Sequence, residues 1–268
     1  MGMQIRLLIC MHIMMRRHCI NMMFGMWLKN NYTRVQRSVF VLCCLPGVAT
    51  LYQYLTGQLN EDPLNQLTHL SGRFSLIMLA ATLAVTPSRR LLCTAAIKFK
   101  QPYGKRLSDW NWLIKLRRML GLWSFFYATN HVALYVIFDI DFDLHIAVQD
   151  AKDKPYLLTG FVAMILLSLL ALTSLDSLKR RLGRFWMTLH KTIYLIAVLV
   201  LLHFWWSMKP GILTPLSHSV VIAILLGYRL ALKIGLMHQW DGYQGNESTV
   251  RPDKSSITDA GIKNYSGG

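Results

Sequence analysis

Three stretches of this chain, Met119 to Phe138, Pro155 to Leu175 and Pro210 to Tyr228, contain no Lys, Arg, Asp or Glu, and nothing else in the sequence constrains the fold as much. At 1.5 Å of rise per residue each is about long enough to cross a hydrocarbon core of roughly 30 Å as a helix. Val39 to Leu55 is a shorter charge-free run, Phe185 to Met208 carries only Lys191, and Leu67 to Pro87 carries only Arg73, near its start. A partly buried amphipathic helix competes for that last segment, but its core from Phe74 to Thr86 is uniformly apolar. The expected fold class is therefore all-α, a bundle of six transmembrane helices. Composition agrees: 53% apolar and 16% charged side chains lie outside the balance of a soluble domain, and the excess apolar surface needs lipid.

Orientation follows from the loops, because positive charge is retained on the cytoplasmic side. Between the second and third spans lie Arg89, Arg90, Lys98, Lys100, Lys105, Arg106, Lys115, Arg117 and Arg118, against Asp109 alone; Lys179, Arg180, Arg181 and Arg184 follow the fourth. The opposite loops are acidic, with Glu61 and Asp62 in one, and Asp139, Asp141, Asp143, Asp150 and Asp153 against Lys152 and Lys154 in the other. Both termini are therefore expected in the cytoplasm, in a multi-pass membrane protein. This topology accounts for the net charge of +16; with no nucleic-acid motif or aromatic-interleaved basic patch, nucleic acid is excluded as a partner. The five cysteines, Cys10, Cys19, Cys43, Cys44 and Cys93, all avoid the outer loops, so no disulfide framework is implied.

The ends read differently from the middle. Residues 1–35 form an N-terminal extension rich in Met, read as an amphipathic interfacial helix or as a non-native lead before a start at Met26; its methionines show no regular spacing that would suit copper. Residues 36–237 hold the membrane domain. Residues 238–268 are polar, rich in Gly and Ser, and read as a disordered cytoplasmic tail. No internal repeat is visible.

Polar groups inside the membrane are costly and mark function. His131 lies in the third span, His190 and His203 in the fifth, and His69 at the outer start of the second. Spans three and five run in the same direction. Counted from the inner basic edges, His131 stands about 20 Å beyond Arg118 and His203 about 28 Å beyond Arg184, both in the outer half. Two neutral imidazoles from facing helices suit the axial positions of a haem iron, and His131 with His203 is the pair this spacing favours. His190, about 20 Å from His203 along the same helix, cannot share that iron and would serve a second, inner haem. Matching depth in span three, however, is occupied by Arg117 and Arg118. These are either partners for haem propionates or for quinone or flavin phosphate oxygens, or topological anchors. His69 reads as a pocket residue or a helix-start packing partner, and Arg73 as a propionate partner or an interfacial cation. Trp205, Trp206 and Tyr135 suit an outer aromatic belt.

The strings Arg117-Arg118-Met119-Leu120-Gly121-Leu122-Trp123, Ala128-Thr129-Asn130-His131, Leu182-Gly183-Arg184-Phe185-Trp186, Leu189-His190-Lys191-Thr192-Ile193-Tyr194-Leu195 and His203-Phe204-Trp205-Trp206-Ser207 closely resemble the MsrQ family. His69-Leu70-Ser71-Gly72-Arg73 and Thr86-Pro87 extend the likeness to residues 36–237. That family is the haem-binding membrane subunit of the bacterial MsrPQ methionine-sulfoxide reductase system, similar to the ferric-reductase transmembrane domain. The resemblance implies haem b, one or two, held at His131, His190 and His203, with FMN as a further cofactor. It also implies electrons passed from the quinone pool or a cytoplasmic flavin reductase to MsrP, a periplasmic molybdenum-cofactor reductase. In that reading the chain is an electron-transfer subunit with no methionine-sulfoxide active site of its own. Two other functions fit the residues: a stand-alone ferric or oxygen reductase, against which no flavin or nicotinamide domain is attached, and a transporter relaying protons through histidines, against which no inverted repeat is seen.

Overall fold

The computed structural model describes residues 31–58, 62–100, 104–208 and 214–235. The readings of residues 1–30 and of the tail 238–268 lie outside these. The chain divides into two compact units, Met1–Leu226 and Gly227–Gly268; of the second, only residues 227–235 are described, most of them the end of the last helix.

Among the described residues every regular element is helical. In chain order these are α1 (Tyr32–Leu55), α2 (Pro63–Lys98), a 3-10 turn (Leu107–Trp110), α3 (Trp112–Leu134) prolonged by a π turn (Tyr135–Asp139), α4 (Leu144–Asp153), α5 (Pro155–Leu172), α6 (Asp176–Leu189), a 3-10 turn (His190–Thr192), α7 (Ile193–Ser207) and α8 (Thr214–Lys233). Local chemistry sets several starts. Asp62 caps α2 by accepting from the Asn65 amide at 3.2 Å, ahead of Pro63, and Pro155 opens α5, both where a missing amide costs nothing.

Five helical segments are long and apolar enough to cross a membrane: Tyr32–Leu55, Pro63–Lys98, Pro155–Leu172, Asp176–Ser207 and Pro215–Lys233. The expected span at Met119 to Phe138 is helical too but is not among these five; α3 carries Arg117 and Arg118 near its start and Ser124, Thr129, Asn130 and His131 along it. Phe40, Leu42, Leu51, Ile165, Leu195, Trp206 and Ile224 are all exposed, a surface suited to lipid rather than water.

The core joins Leu76, Leu79 and Leu83 of α2 to Leu167 and Leu170 of α5, Ile196 and Ala197 of α7, and Ile222 of α8. Helices α2 and α3 form an antiparallel hairpin whose polar ties run its length. Ser75 and Ser124 exchange hydroxyl-to-carbonyl bonds of 2.9 and 3.0 Å, Arg117 donates to the Thr86 hydroxyl at 2.8 Å, and Arg89 donates to the Leu107 carbonyl and Asn111 amide oxygen at 2.9 and 2.7 Å. In α5 and α7 a second antiparallel pair brings Tyr156 to His203.

Helix α1 lies at the edge, where Phe40 packs on Trp123, Lys115 lies over the Tyr32 ring, and the Tyr127 hydroxyl binds its backbone. Pro46 has no amide and its ring crowds the carbonyl one turn back, which disturbs the helical ladder there. The Tyr127 hydroxyl of α3 sits at the adjacent rung, donating to the Cys43 carbonyl at 2.6 Å and accepting from the Gly47 amide at 3.1 Å. Gly47 permits the approach, since a Cβ there would lie 3.2 Å from that hydroxyl. Tyr127→Phe removes both bonds and is expected to cost about 1–3 kcal/mol, read as a lower thermal unfolding midpoint in detergent. An unchanged midpoint would show that the kinked ladder satisfies itself.

Candidate functional site

Between the two antiparallel pairs lies a cavity of about 130 Å³, or about 1020 Å³ of empty space with its open mouth included, a cofactor-sized site. Its walls are mostly apolar, with His131, His203, His69, Arg73 and Tyr135 among the polar groups that reach it.

His131 is delivered by α3 and His203 by α7. The Nδ1 of His131 lies 2.8 Å from the Thr68 carbonyl oxygen, and the Nδ1 of His203 lies 2.7 Å from that of Tyr156. A carbonyl can only accept, so each Nδ1 holds the proton and each Nε2 keeps a free lone pair. The ring centroids stand 6.0 Å apart with their planes at 86°. Two metal–nitrogen bonds of about 2 Å, plus about 1 Å from each nitrogen to its ring centre, come to about 6 Å, so the spacing admits one iron between the rings. Among the described residues no group of three or more His, Cys, Asp or Glu side chains could hold a bare metal ion. Two imidazoles with free Nε2 atoms instead would suit an iron that a macrocycle also holds.

Arg73 strengthens the fit. It lines the cavity, and its Nε is buried with no hydrogen-bond partner, a position that a carboxylate such as a haem propionate would satisfy. His69 stands exposed at the rim.

The remaining expected residues lie elsewhere. Arg117 is engaged with Thr86, and Arg118 pairs with Asp176 at 2.8 Å in an exposed bridge; neither lines the cavity. His190 sits in the 3-10 turn, its Nδ1 3.2 Å from the Trp186 carbonyl oxygen and its ring stacked on Trp186 at 4.1 Å. It too is absent from the lining. On an ideal helix His190 and His203 point about 140° apart; the tight turn at 190–192 adds about 60° and narrows this to about 80°. Gly183 (φ 49°, ψ −120°) kinks α6 just before Arg184, the residue from which the depth of His203 is counted.

Sequence reasoning did not single out Thr68, Tyr156 and Gly160. The readable signal was Ser71-Gly72 on α2 and Thr159-Gly160 on α5, a hydroxyl followed by a glycine in each helix that faces a histidine. Tyr135 was read as belt; it lines the cavity and also donates to Asp150 Oδ2 at 3.0 Å, linking the site to α4.

A helical membrane protein with paired, backbone-anchored imidazoles in an apolar cavity is one class, and residues 71–201 match the family described as ferric reductase like transmembrane component. The protein-methionine-sulfoxide reductase heme-binding subunit MsrQ of Herminiimonas arsenicoxydans is 38% identical over 202 residues, covering 74% of this chain and 85% of that protein. The proteins of the same name from Bordetella pertussis and Xanthomonas axonopodis pv. citri are 36% and 37% identical over 200 and 184 residues, covering 74% and 69% of this chain and 89% and 77% of theirs. The chain belongs to the MsrQ family.

The Asp150 carboxylate accepts from Tyr135 and, at 2.9 Å, from Lys154, and the Lys154 ammonium first and then the Tyr135 hydroxyl hold it below its ordinary range. A depressed carboxyl contributes stability above its unfolded pKa and loses it as pH falls through the folded value. Hydrogen exchange in α4, taken relative to the intrinsic rate of each amide at the same pH, should therefore stay constant at neutral and mildly acidic pH and rise only below the usual carboxylate range. Asp150→Asn should abolish that acid-dependent rise, and its persistence would exclude the Asp150 anchor.

Proposed function

We propose that this chain is the haem-bearing electron carrier of a methionine-sulfoxide reductase system, crossing the bacterial inner membrane six times with both termini in the cytoplasm. The observation that carries the reading is the His131–His203 pair, 6.0 Å apart with both Nδ1 atoms committed to backbone carbonyls. The names of the relatives support it, and α3 counts as the sixth span because a helix that carries cofactor ligands is expected to be more polar than its neighbours.

Bound there, haem b would supply a one-electron ferric/ferrous couple. The carbonyls of Thr68 and Tyr156 hold both imidazoles in the Nδ1–H tautomer, aimed with Nε2 free. Arg73 offsets a propionate, and Leu76, Leu79, Leu167 and Val200 keep water from the rings. The basic segments face a cytoplasmic flavin donor or the quinone pool, and the acidic loops with α4 face MsrP, a periplasmic molybdenum-cofactor reductase that repairs methionine sulfoxide. The reading takes one haem. His190 is engaged with Trp186, and Arg117 and Arg118, the candidate partners for FMN phosphate, are engaged with Thr86 and Asp176.

Reduced-minus-oxidised spectra with pyridine haemochrome quantitation should show b-type bands in the purified protein. His131→Ala and His203→Ala should each remove most of the haem, while His190→Ala retains it. A haem-free wild type after haem-supplemented expression would sink the electron-transfer reading and bring the proton-relay transporter forward.

A further inference from the structure

The two histidines are held in the same way by two helices that do not adjoin in sequence. The Thr68 carbonyl accepts from His131 Nδ1 at 2.8 Å and from the Ser71 hydroxyl at 2.9 Å. The Tyr156 carbonyl accepts from His203 Nδ1 at 2.7 Å and from the Thr159 hydroxyl at 2.7 Å. A glycine follows each hydroxyl. A Cβ on Gly72 would lie 3.1 Å from His131 Nδ1, and one on Gly160 would lie 2.7 Å from His203 Nδ1 and 2.9 Å from its Cε1.

We infer that Thr68–Gly72 on α2 and Tyr156–Gly160 on α5 are one histidine-positioning cradle used twice, and that its hydroxyl tunes how strongly each imidazole binds iron. The inference rests on the haem reading above. Thr68-His69-Leu70-Ser71-Gly72 and Tyr156-Leu157-Leu158-Thr159-Gly160 share leucine, hydroxyl and glycine in register, a likeness too short to see without the fold.

The physical logic has two parts. A helical carbonyl is ordinarily screened by the side chain one turn later, and a glycine at that place lets an imidazole from a neighbouring helix lie against the backbone. The carbonyl then draws on the Nδ1 proton, which makes Nε2 a stronger donor and favours ferric over ferrous iron. The Ser71 and Thr159 hydroxyls share the same oxygen and so weaken that pull. Removing either should strengthen the imidazole–carbonyl bond and lower the haem potential.

Full-length protein purified with its own haem, taken as the monodisperse fraction, tests both parts. Gly160→Ala forces a contact closer than real Cβ atoms show and should lose at least threefold of its haem per protein, whereas Gly72→Ala needs its neighbour to give by only a few tenths of an ångström and should lose less. Ser71→Ala and Thr159→Val, which create no clash, should keep their haem yet shift the ferric/ferrous ratio at fixed potential about threefold toward ferric, a midpoint ~28 mV lower at 59 mV per tenfold for one electron. Potentiometric titration reads this directly, and it remains decisive if Gly160→Ala fails to fold. Wild-type protein without haem would overturn the haem reading itself. Wild-type haem with Gly160→Ala unchanged in content, or with both hydroxyl variants unchanged in potential, would overturn the cradle alone.

Discussion

An imidazole turned into an apolar bundle must find an acceptor for its protonated nitrogen, and here each acceptor is a helical carbonyl. Much else follows from that requirement. The carbonyl is reachable only at close range, which calls for glycine at positions 72 and 160 and draws α3 onto α2 and α7 onto α5. Each pair is antiparallel, so each histidine, near the end of its own helix, meets the first turns of its partner. The cavity is the space left between the two pairs once both rings are pinned back.

A lipid exterior removes the usual reason for helices to cohere, because hydrocarbon tails are as apolar as leucine. The bundle answers with polar ties that would be minor in water: the reciprocal Ser75–Ser124 bonds, Arg117 on Thr86, and Tyr127 set into the rung beside Pro46. All involve α3, the expected span that is not among the five helices long and apolar enough to cross a membrane. Its polar residues are what the neighbouring helices grip, so its weak membrane signal and its central role have the same cause.

How much of this could be read from the chain depends on which interaction is asked about. The charge-free runs and the helical class were legible because lipid imposes them residue by residue. His131 and His203 were legible because a histidine in such a run is expensive. Their carbonyl partners were not, since Thr68 and Tyr156 act through the backbone and any residue offers a carbonyl. Nor were the irregular turns. A count at constant rise and angle assumes a regular helix, and the tight turn at His190–Thr192 departs from that inside the counted stretch, while Gly183 with its positive φ kinks the helix just before it. Arg118 and Arg117 stood at a suggestive depth, yet Asp176 lies 58 residues further on and Thr86 on the preceding helix, partners that no local pattern names.

The division of the ligands between two helix pairs has a consequence for cohesion. The α2–α3 and α5–α7 pairs meet through the cluster of Leu76, Leu79, Leu167 and Ile196, and across the two rings. A group that bound both Nε2 atoms would bridge the pairs, and because it recognises only the assembled geometry it would stabilise the bundle by mass action. Arg73, on α2 with a buried Nε lacking a partner, would gain a charge-assisted hydrogen bond from a carboxylate on that group. Cofactor retention and bundle integrity are thus coupled through the same few atoms, and the tightness of the Gly160 contact places the more sensitive half of that coupling on the α5–α7 side.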